Sequence, residues 1–317
     1  MTGPPEGLAI VGPTASGKTA LSLPVAEALD GEIISMDSRQ VYRGMDIGTA
    51  KVAPGDRSRV PHFGLDLIDP RERYSAARFA TDARAWMDEI RERGRLPILV
   101  GGTGFFLKAL TDPIFREPPL DDDRRGRLRD WLSERPEEER ARWLRRLDPD
   151  RAELAIAGGA QRIGRTLEIA LLTGRPLSWW HANAPSASRP IRFGVVRLMM
   201  PRETLYARIN ARAVEMFESG LLAEVRALLE AGVPVEAPGM TGTGYREAAQ
   251  VLLGEQSLEE AIDAVQRATR RYARRQETWF RHQLPADVLE VDATRPPAYQ
   301  VARVVEWWRG TAGRGQG

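Results

Sequence analysis

The stretch with the clearest chemical meaning lies close to the amino terminus and combines glycines, hydroxyls and a lysine. Residues 12–19 read G-P-T-A-S-G-K-T, which fits the phosphate-binding pattern G-x-x-x-x-G-K-[ST]. An apolar run, 8–11, precedes this loop and a helix predicted over 19–29 follows it, so a helix N-terminus and a lysine both offer positive charge. The pattern predicts a polyphosphate site without saying which polyphosphate. Its residues are Gly12, Pro13, Thr14, Ala15, Ser16, Gly17, Lys18 and Thr19, the last being a candidate Mg²⁺ ligand.

Asp37 is the first candidate for acid–base chemistry. It follows the apolar segment 32–36, at the point where a second strand would end. Three roles are open for its carboxylate: a magnesium ligand, a general base that accepts a proton from a nucleophile, or a cap of the turn. Because a phosphate-binding loop is predicted beside it, a functional role is favoured.

Two further residues are candidates for contact with a ligand. Thr103 follows the apolar run 96–100 among three glycines, which permit close approach of the backbone; a plain glycine-rich turn is the alternative. Arg212 lies on a helix predicted over 203–220, about 20° outside its apolar face, whereas Arg208 lies about 60° outside. An arginine at the edge of a core can extend to water or can hold an anion inside a crevice.

Five arginines recur along one face of a helix predicted over residues 257–280. A solvated face usually mixes charges, but no acidic residue lies between the first of these arginines and Gln276. Nucleic-acid phosphate is the expected partner, and a merely basic surface helix is the alternative. The stripe comprises Arg267, Arg270, Arg271, Arg274 and Arg275, and Arg162 with Arg165 forms a weaker second cluster.

Strand-like and helix-like segments alternate through the first third of the chain, which favours an α/β fold with a parallel sheet flanked by helices. In such sheets ligands bind beyond the carboxyl ends of the strands, where the loop, Asp37 and Thr103 would converge. We predict a P-loop NTPase-like core in two parts, 1–113 and 189–317, with an all-helical insertion over 114–188. Residues 311–317 are expected to be disordered. Further strands are predicted over 65–68, 193–199 and 288–291.

Composition narrows the class of protein. The chain has 317 residues, of which 46 are basic and 44 acidic, so a nucleic-acid surface must be a local patch. It has no cysteine and three histidines, which excludes disulfides and thiolate zinc sites and disfavours a histidine metal cluster. No long apolar stretch or charged-then-apolar leader is present, and we expect a cytoplasmic protein without a membrane span.

Several stretches together resemble the bacterial tRNA dimethylallyltransferases, also called tRNA isopentenyltransferases. Besides the loop they read S-M-D-S from residue 35, G-M-D-I-G-T-A-K from 44, V-G-G-T from 100, G-Y-R-E from 244 and R-Q-E-T-W-F from 275. The resemblance runs in order from about Leu8 to Arg281, and the second of these stretches is more specific than the loop itself.

This resemblance implies transfer of a dimethylallyl group from dimethylallyl diphosphate to the N6 amine of the adenine 3′ to the anticodon of tRNA. It implies Mg²⁺ as cofactor, no consumption of ATP, and a monomer. By position, Asp37 would be the general base, Thr103 would contact the reacting groups and Arg212 would help to hold the leaving diphosphate. The implied tRNA contacts are Asp37, Ser38, Arg39, Gln40, Thr103, Gln161, Arg162, Ile163, Gly164 and Arg165, beside Arg270, Arg271 and Arg274 of the stripe.

Two other functions are weighed against this one. A P-loop kinase of a small metabolite or nucleoside would use Asp37 as its substrate base or metal ligand. A non-catalytic RNA-binding or nucleotide-sensing module is the third hypothesis. The arginine stripe and the helical insertion argue against a minimal kinase, and three polar strand ends argue against a mere binding module.

Overall fold

The computed structural model describes residues 3–112, 120–184 and 188–313. The chain divides into two compact units, one formed by Met1–Asp112 with Pro190–Gly317 and the other by Pro113–Arg189. The first unit contains every strand that the structure describes, and the second is helical throughout its described residues.

Six parallel strands form one sheet in the order β3-β2-β4-β1-β5-β6. The residues of β1 and β2 are all buried, as expected for strands covered on both faces by helices. The prediction of a parallel α/β sheet flanked by helices is therefore confirmed. The strands are β1 Gly7–Val11, β2 Gly31–Ser35, β3 His62–Phe63, β4 Leu96–Gly101, β5 Phe193–Met199 and β6 Leu289–Asp292.

The register of the sheet brings three strand ends to one edge. Val11 of β1 pairs with Gly101 of β4, and Ser35 of β2 pairs with Val100, so these strands end level with one another. Because all three run in the same direction, the segments that follow them share one crevice. Those segments are the phosphate-binding loop and the turns that carry Asp37 and Thr103.

Helices occupy most of the rest of the described chain. They are α1 Lys18–Ala28, α2 Pro54–Arg59, α3 Ala76–Glu92, α4 Gly104–Thr111, α5 Asp122–Ser133, α6 Glu137–Leu147, α7 Pro149–Ala157, α8 Ala160–Thr173, α9 Leu177–Asn183, α10 Arg202–Glu218, α11 Leu221–Glu230, α12 Tyr245–Leu252, α13 Leu258–Gln283 and α14 Pro297–Gly313.

The core of the first unit includes two large clusters of buried side chains. In the first, α1 and α14 pack together over side chains of β1, β2, β4 and β5, with Val304 and Trp308 of α14 buried in that cluster. A second cluster joins α10, α11, α12 and α13 to the loop after β2, through residues such as Met45, Phe217 and Tyr245. The loop that carries the most specific sequence stretch is thus packed against four helices.

Three expectations about secondary structure were wrong or incomplete. The predicted strand at 65–68 is absent, because Gly64 and Asp66 have φ angles of 81° and 54° and break the extended chain, and only Ile68 forms an isolated bridge with Tyr42. Helices α12 and α14 were not predicted. Since α14 continues to Gly313, the expected disorder is wrong for 311–313, while 314–317 lie outside the described residues.

The second unit has a small core of its own. Its helices α5 to α8 bury leucine, isoleucine and alanine side chains against one another, among them Leu144, Ile163 and Leu167 at 0% exposure. Glu168 is also buried, and its carboxylate accepts hydrogen bonds from three arginines of the same unit. In the described residues of both units, no helix is long and apolar enough to cross a membrane.

Candidate active site

The phosphate-binding loop has the curled backbone that its sequence predicts. Ala15 and Gly17 have φ angles of 62° and 92°, so the chain turns sharply before α1 begins. Gly17 precedes α1 without any side-chain cap, which leaves the first N–H groups of the helix directed into the crevice. The hydroxyl of Ser16 is buried without a hydrogen-bond partner. Such a group in such a loop is suited to binding an anion.

Beside the loop lies a cavity of about 410 Å³, which we call the first cavity. Lys18 and Thr19 line it, and so do Arg208 and Arg212 of α10. The ammonium of Lys18 donates to the carbonyl of Pro13 at 2.7 Å. Burial lowers the pKa of Lys18 to about 8; the charge of Arg212 acts in the same direction and that of Asp37 opposes both. At neutral pH the first cavity is therefore lined by three cations, Lys18, Arg208 and Arg212, and by the carboxylates of Asp37 and Glu215.

Arg212 points into the crevice rather than out to water. Its Nη1 donates to the hydroxyl of Thr14 at 3.1 Å, and its Nε is buried without a partner. Burial lowers the pKa of its guanidinium, while the charges of Asp37 and Glu215 oppose that shift; a guanidinium nevertheless stays protonated. A buried N–H group of a cation that has no hydrogen-bond partner is suited to donating to a bound anion.

Arg208 was underestimated by the sequence analysis. A Cβ placed on Gly17 would lie 3.8 Å from its guanidinium, so Arg208 reaches the phosphate-binding loop although it lies farther from the apolar face of α10 than Arg212 does. A long, flexible side chain can cover that angle, which helical phase alone does not reveal.

Asp37 lies in the same cavity as the loop. One of its carboxylate oxygens, Oδ1, accepts from the backbone N–H of Arg39 at 2.8 Å, so the residue does cap its turn. Its side chain also lines the first cavity, where Lys18 and Arg212 are its charged neighbours. The carboxylate of Asp37 can therefore cap the turn with Oδ1 and contact a ligand with its other oxygen, which the turn does not use.

Thr103 is connected to Asp37 through the next residue along the chain. The Thr103 hydroxyl accepts from the N–H of Ser38 at 3.2 Å. It also interacts with the hydroxyl of Tyr272 on α13. Burial and the negative charge of Asp37 raise the pKa of Tyr272 to about 12, so the phenol stays neutral at physiological pH. The sequence analysis assigned Tyr272 no role in the site.

A second cavity, of about 370 Å³, opens on the other side of Asp37. Its walls include apolar side chains of α10 and α13, among them Ile209 and Val265, together with threonines and Arg275. The two cavities share five lining residues and so meet at one place. Those residues are Thr14, Asp37, Thr49, Arg212 and Tyr272.

Gln276 holds two of the strand-end segments together. Its Oε1 accepts from the N–H of Thr14 at 2.8 Å, and its Nε2 donates to the carbonyl of Gly102 at 2.8 Å. The side chain is 6% exposed, and a Cβ on Gly102 would lie only 2.2 Å from its amide. The stretch from residue 275 thus includes a residue that fixes the phosphate-binding loop relative to the segment of Thr103.

The predicted RNA contacts next to Asp37 fall into two groups. Ser38 and Arg39 line the second cavity, where Arg39 Nη1 donates to the carbonyl of Pro238 at 2.8 Å. Gln40 instead uses its amide within the protein, accepting from Ser35 and donating to the carbonyl of Thr49. The side chain of Gln40 therefore forms part of the wall of the first cavity.

The arginines of the stripe also fall into two groups, some exposed and some bonded to other side chains of the protein. Arg271, Arg274 and Arg275 are exposed, and the Arg275 guanidinium lies 5.6 Å from the ring centre of Tyr272. Arg270 is half-buried and donates to the side chain of Asn210 on α10, and Arg267 pairs with Asp263 at 2.9 Å. The exposed part of the stripe therefore begins beside the second cavity.

The insertion residues predicted to contact RNA lie at the start of α8. Gln161 and Arg162 are exposed, and Gly164 and Arg165 are half-buried, with Arg165 bonded to Glu168 at 2.7 Å. Ile163 is at 0% exposure in the core of the unit. Helical periodicity turns its side chain inward, so an RNA contact at Ile163 would have to use the backbone, and this contact stays a prediction.

The chemistry of the first cavity fits a magnesium ion held jointly with a phosphate ligand. The described residues contain no group of three or more histidine, cysteine, aspartate or glutamate side chains able to hold a metal by themselves. The cavity does contain the hydroxyl of Thr19 and the carboxylate of Asp37, which are hard oxygen donors. Mg²⁺ commonly uses one or two such groups and takes its other ligands from water and phosphate.

Comparison with known proteins agrees with this geometry. Residues 40–283 match the family model described as IPP transferase. A tRNA dimethylallyltransferase of Solibacter usitatus is 46% identical over 280 residues, covering 87% of this chain and 90% of the relative. The crystal structure of a full-length tRNA isopentenylpyrophosphate transferase from Bacillus halodurans is 37% identical, with a TM-score of 0.69 and coverage of 98% of both chains.

A eukaryotic dimethylallyltransferase acting on tRNA, also solved by crystallography, has a TM-score of 0.74 at 27% identity over 97% of this chain and 76% of its own. The likeness thus extends over both units of the chain, and it confirms the family resemblance read from the sequence stretches. The chain belongs to the IPP transferase family, the family of the tRNA dimethylallyltransferases.

Proposed function

We propose that this chain moves a dimethylallyl group from dimethylallyl diphosphate to the N6 amine of the adenine 3′ to the anticodon of tRNA. The observation that carries the proposal is the meeting of two cavities at Asp37, one lined by cations beside a phosphate-binding loop, the other lined in part by apolar side chains. A donor that carries two phosphates and an acceptor that is a flat base require such a pair of sites.

The donor fits the first cavity. Its diphosphate is suited to the loop N–H groups, Lys18, Arg208 and Arg212, which line the cavity. The lining also includes apolar side chains such as Ile33 and Val52, against which a branched hydrocarbon tail can pack. When bound, Mg²⁺ would neutralise charge on the diphosphate, with Thr19 as a candidate hydroxyl ligand.

The acceptor fits the second cavity. An adenine turned out of the anticodon loop can lie between the apolar side chains of α10 and α13, as bases do in proteins that read single-stranded RNA. Its N6 amine is a weak nucleophile because its lone pair is delocalised into the ring. The amine must lose a proton as the new bond forms, and Asp37 is the carboxylate at the junction of the cavities.

The reaction then follows from these positions. N6 attacks the allylic carbon, the N6–carbon bond forms, and the bond from that carbon to the diphosphate oxygen breaks. The proton of N6 passes to the carboxylate of Asp37, and the bonding electrons leave with the diphosphate. Arg212 and Lys18 stabilise the negative charge that grows on the leaving group. Thr103 orients the segment of Asp37 through Ser38.

RNA contacts are proposed for the exposed cations around the second cavity, chiefly Arg271, Arg274 and Arg275, and for the exposed start of α8. Because Arg275 lines the second cavity, phosphate contacts made by the exposed face of α13 would lie next to the site proposed for the base. We propose that the chain acts as a monomer in the cytoplasm.

A direct assay tests the proposal. Purified protein is incubated with magnesium, dimethylallyl diphosphate and unmodified tRNA, and a parallel reaction contains ATP instead of the prenyl donor. Prenylated RNA is expected in the first reaction alone. Turnover of ATP without prenylated RNA would instead support a small-molecule or nucleoside kinase.

Asp37→Asn separates the two roles of the carboxylate. If Asp37 is the base, the variant loses about 10²- to 10⁴-fold in the rate of transfer, while the Kd for inorganic diphosphate, measured by calorimetry, changes by less than about twofold. A comparable loss of diphosphate affinity would assign Asp37 to the metal instead.

A further inference from the structure

One carboxylate outside both cavities accepts an unusual number of hydrogen bonds from a single loop. Glu224 lies in the first turn of α11. Its Oε2 accepts from the N–H groups of Asp46 and Ile47, each at 2.8 Å. Its Oε1 accepts from the N–H of Gly48 at 3.2 Å and from the hydroxyl of Tyr245 at 2.5 Å. Four donors occupy the acceptor positions that one carboxylate offers.

The loop held in this way forms part of the catalytic crevice. Gly48 and Thr49 line the second cavity, and Thr49 also lines the first. The carbonyl of Thr49 accepts from the amide of Gln40, which in turn accepts from the hydroxyl of Ser35 at the end of β2. A displacement of the loop would therefore reach the segment that carries Asp37.

Packing and charge fix the rest of the loop. Tyr245 is 1% exposed, and a Cβ on Gly48 would lie 2.4 Å from its ring, so only glycine fits there. The side chain of Lys51, 1% exposed, pairs with Asp46 and Asp66 at 2.6 Å each. The ammonium of Lys51 thus holds one end of the loop through its two ion pairs. The carboxylate of Glu224 holds the backbone at the other end.

We propose that Glu224 is a positioning residue for the acceptor side of the reaction. Its carboxylate holds Gly48 and Thr49 as the wall of the cavity that receives the nucleobase. The inference rests on the proposed function and adds a residue on α11 to the site. All four partners of Glu224 are hydrogen-bond donors, so both oxygens of its carboxylate must act as acceptors. A glutamine replaces one of these oxygens with an NH₂ group, which is a donor.

The test compares the full-length protein with Glu224→Gln in two measurements. The first is kcat/KM for tRNA at saturating donor, and the second is the Kd for inorganic diphosphate, which probes the loop beside Lys18 but not the nucleobase cavity. We expect kcat/KM to fall about 10- to 100-fold, because two donors lose a charged acceptor. The Kd for diphosphate should stay within about twofold of the wild-type value.

Glu230→Gln is the matched control, since Glu230 is an exposed glutamate at the other end of α11. It should leave both measurements unchanged. Tyr245→Phe keeps the ring that packs on Gly48 and removes one of the four donors. It should lower kcat/KM for tRNA about threefold, and it decides the question if Glu224→Gln does not fold.

Two results would overturn the inference. If kcat/KM for tRNA is unchanged in Glu224→Gln, the carboxylate does not position the acceptor cavity. If the affinity for diphosphate falls in parallel with kcat/KM, Glu224 merely supports the fold. Failure of the wild-type protein to prenylate tRNA would overturn the proposed function itself, and with it this inference, whatever the variants do.

Discussion

Lys18 is the charge in the phosphate site whose protonation changes within the range of ordinary assays. Burial lowers its pKa to about 8 from an ordinary value of 10.5. A bound diphosphate favours the ammonium, so affinity should be full below pH 8 and should weaken by up to about tenfold per pH unit above it. Calorimetric titration with inorganic diphosphate between about pH 7 and pH 9.5 measures this dependence.

Lys18→Arg provides the control for this measurement at the same position. A guanidinium stays protonated throughout that pH range, and the titration of the ligand itself is common to both proteins. The slope above pH 8 should therefore be steeper for the wild-type protein than for the variant. Equal slopes would show that Lys18 does not contact the anion as an ammonium.

At the scale of the elements, α13 connects two strand-end segments of the site through Gln276. Gln276→Leu keeps the volume of the side chain but leaves the N–H of Thr14 and the carbonyl of Gly102 without partners. The free energy of unfolding should fall by about 1–3 kcal/mol, and the Kd for inorganic diphosphate should rise. Chemical denaturation and calorimetry measure the two effects.

Thr278→Ala, an exposed position two residues after Gln276 on the same helix, should change neither quantity. A Gln276→Leu protein that is less stable but binds diphosphate with unchanged affinity would contradict the role assigned to Gln276. In that case the hydrogen bond to Thr14 would support the fold without shaping the phosphate-binding loop.

The elements that the sequence predicted well are those whose pattern is local. Apolar runs gave β1, β2, β4 and β5, and the serine and glutamate at the start of α13 form a capping box there. Helical phase placed Arg212 near the crevice, but Arg208 and Tyr272 depend on how α10 and α13 pack together. Helix α12 was missed because its role is tertiary: Tyr245 packs on a loop about 200 residues earlier.

At the scale of the whole molecule, near-neutral net charge makes RNA binding depend on where the cations lie. Arg271 and Arg274 are exposed on α13, the helix whose Arg275 lines the second cavity, whereas Arg270 is bonded to Asn210 and is better left unchanged in a test. Replacing Arg271 and Arg274 together with alanine should weaken tRNA binding at every salt concentration. The slope of log K against log salt should become shallower by about 1–2 units, since each lost phosphate contact releases fewer counterions.

Arg303 and Arg309 offer the matched pair for that experiment. Both are exposed, and both lie on α14, which packs with α1 and does not line either cavity. Their replacement with alanine removes the same formal charge from the molecule. If tRNA binding depended only on the net charge of the protein, it would therefore weaken equally in the two double variants. A local RNA surface predicts a shallower slope only for the pair on α13. Identical slopes for both variants would mean that tRNA responds to the net charge of the protein, and the exposed stripe would then be ordinary surface.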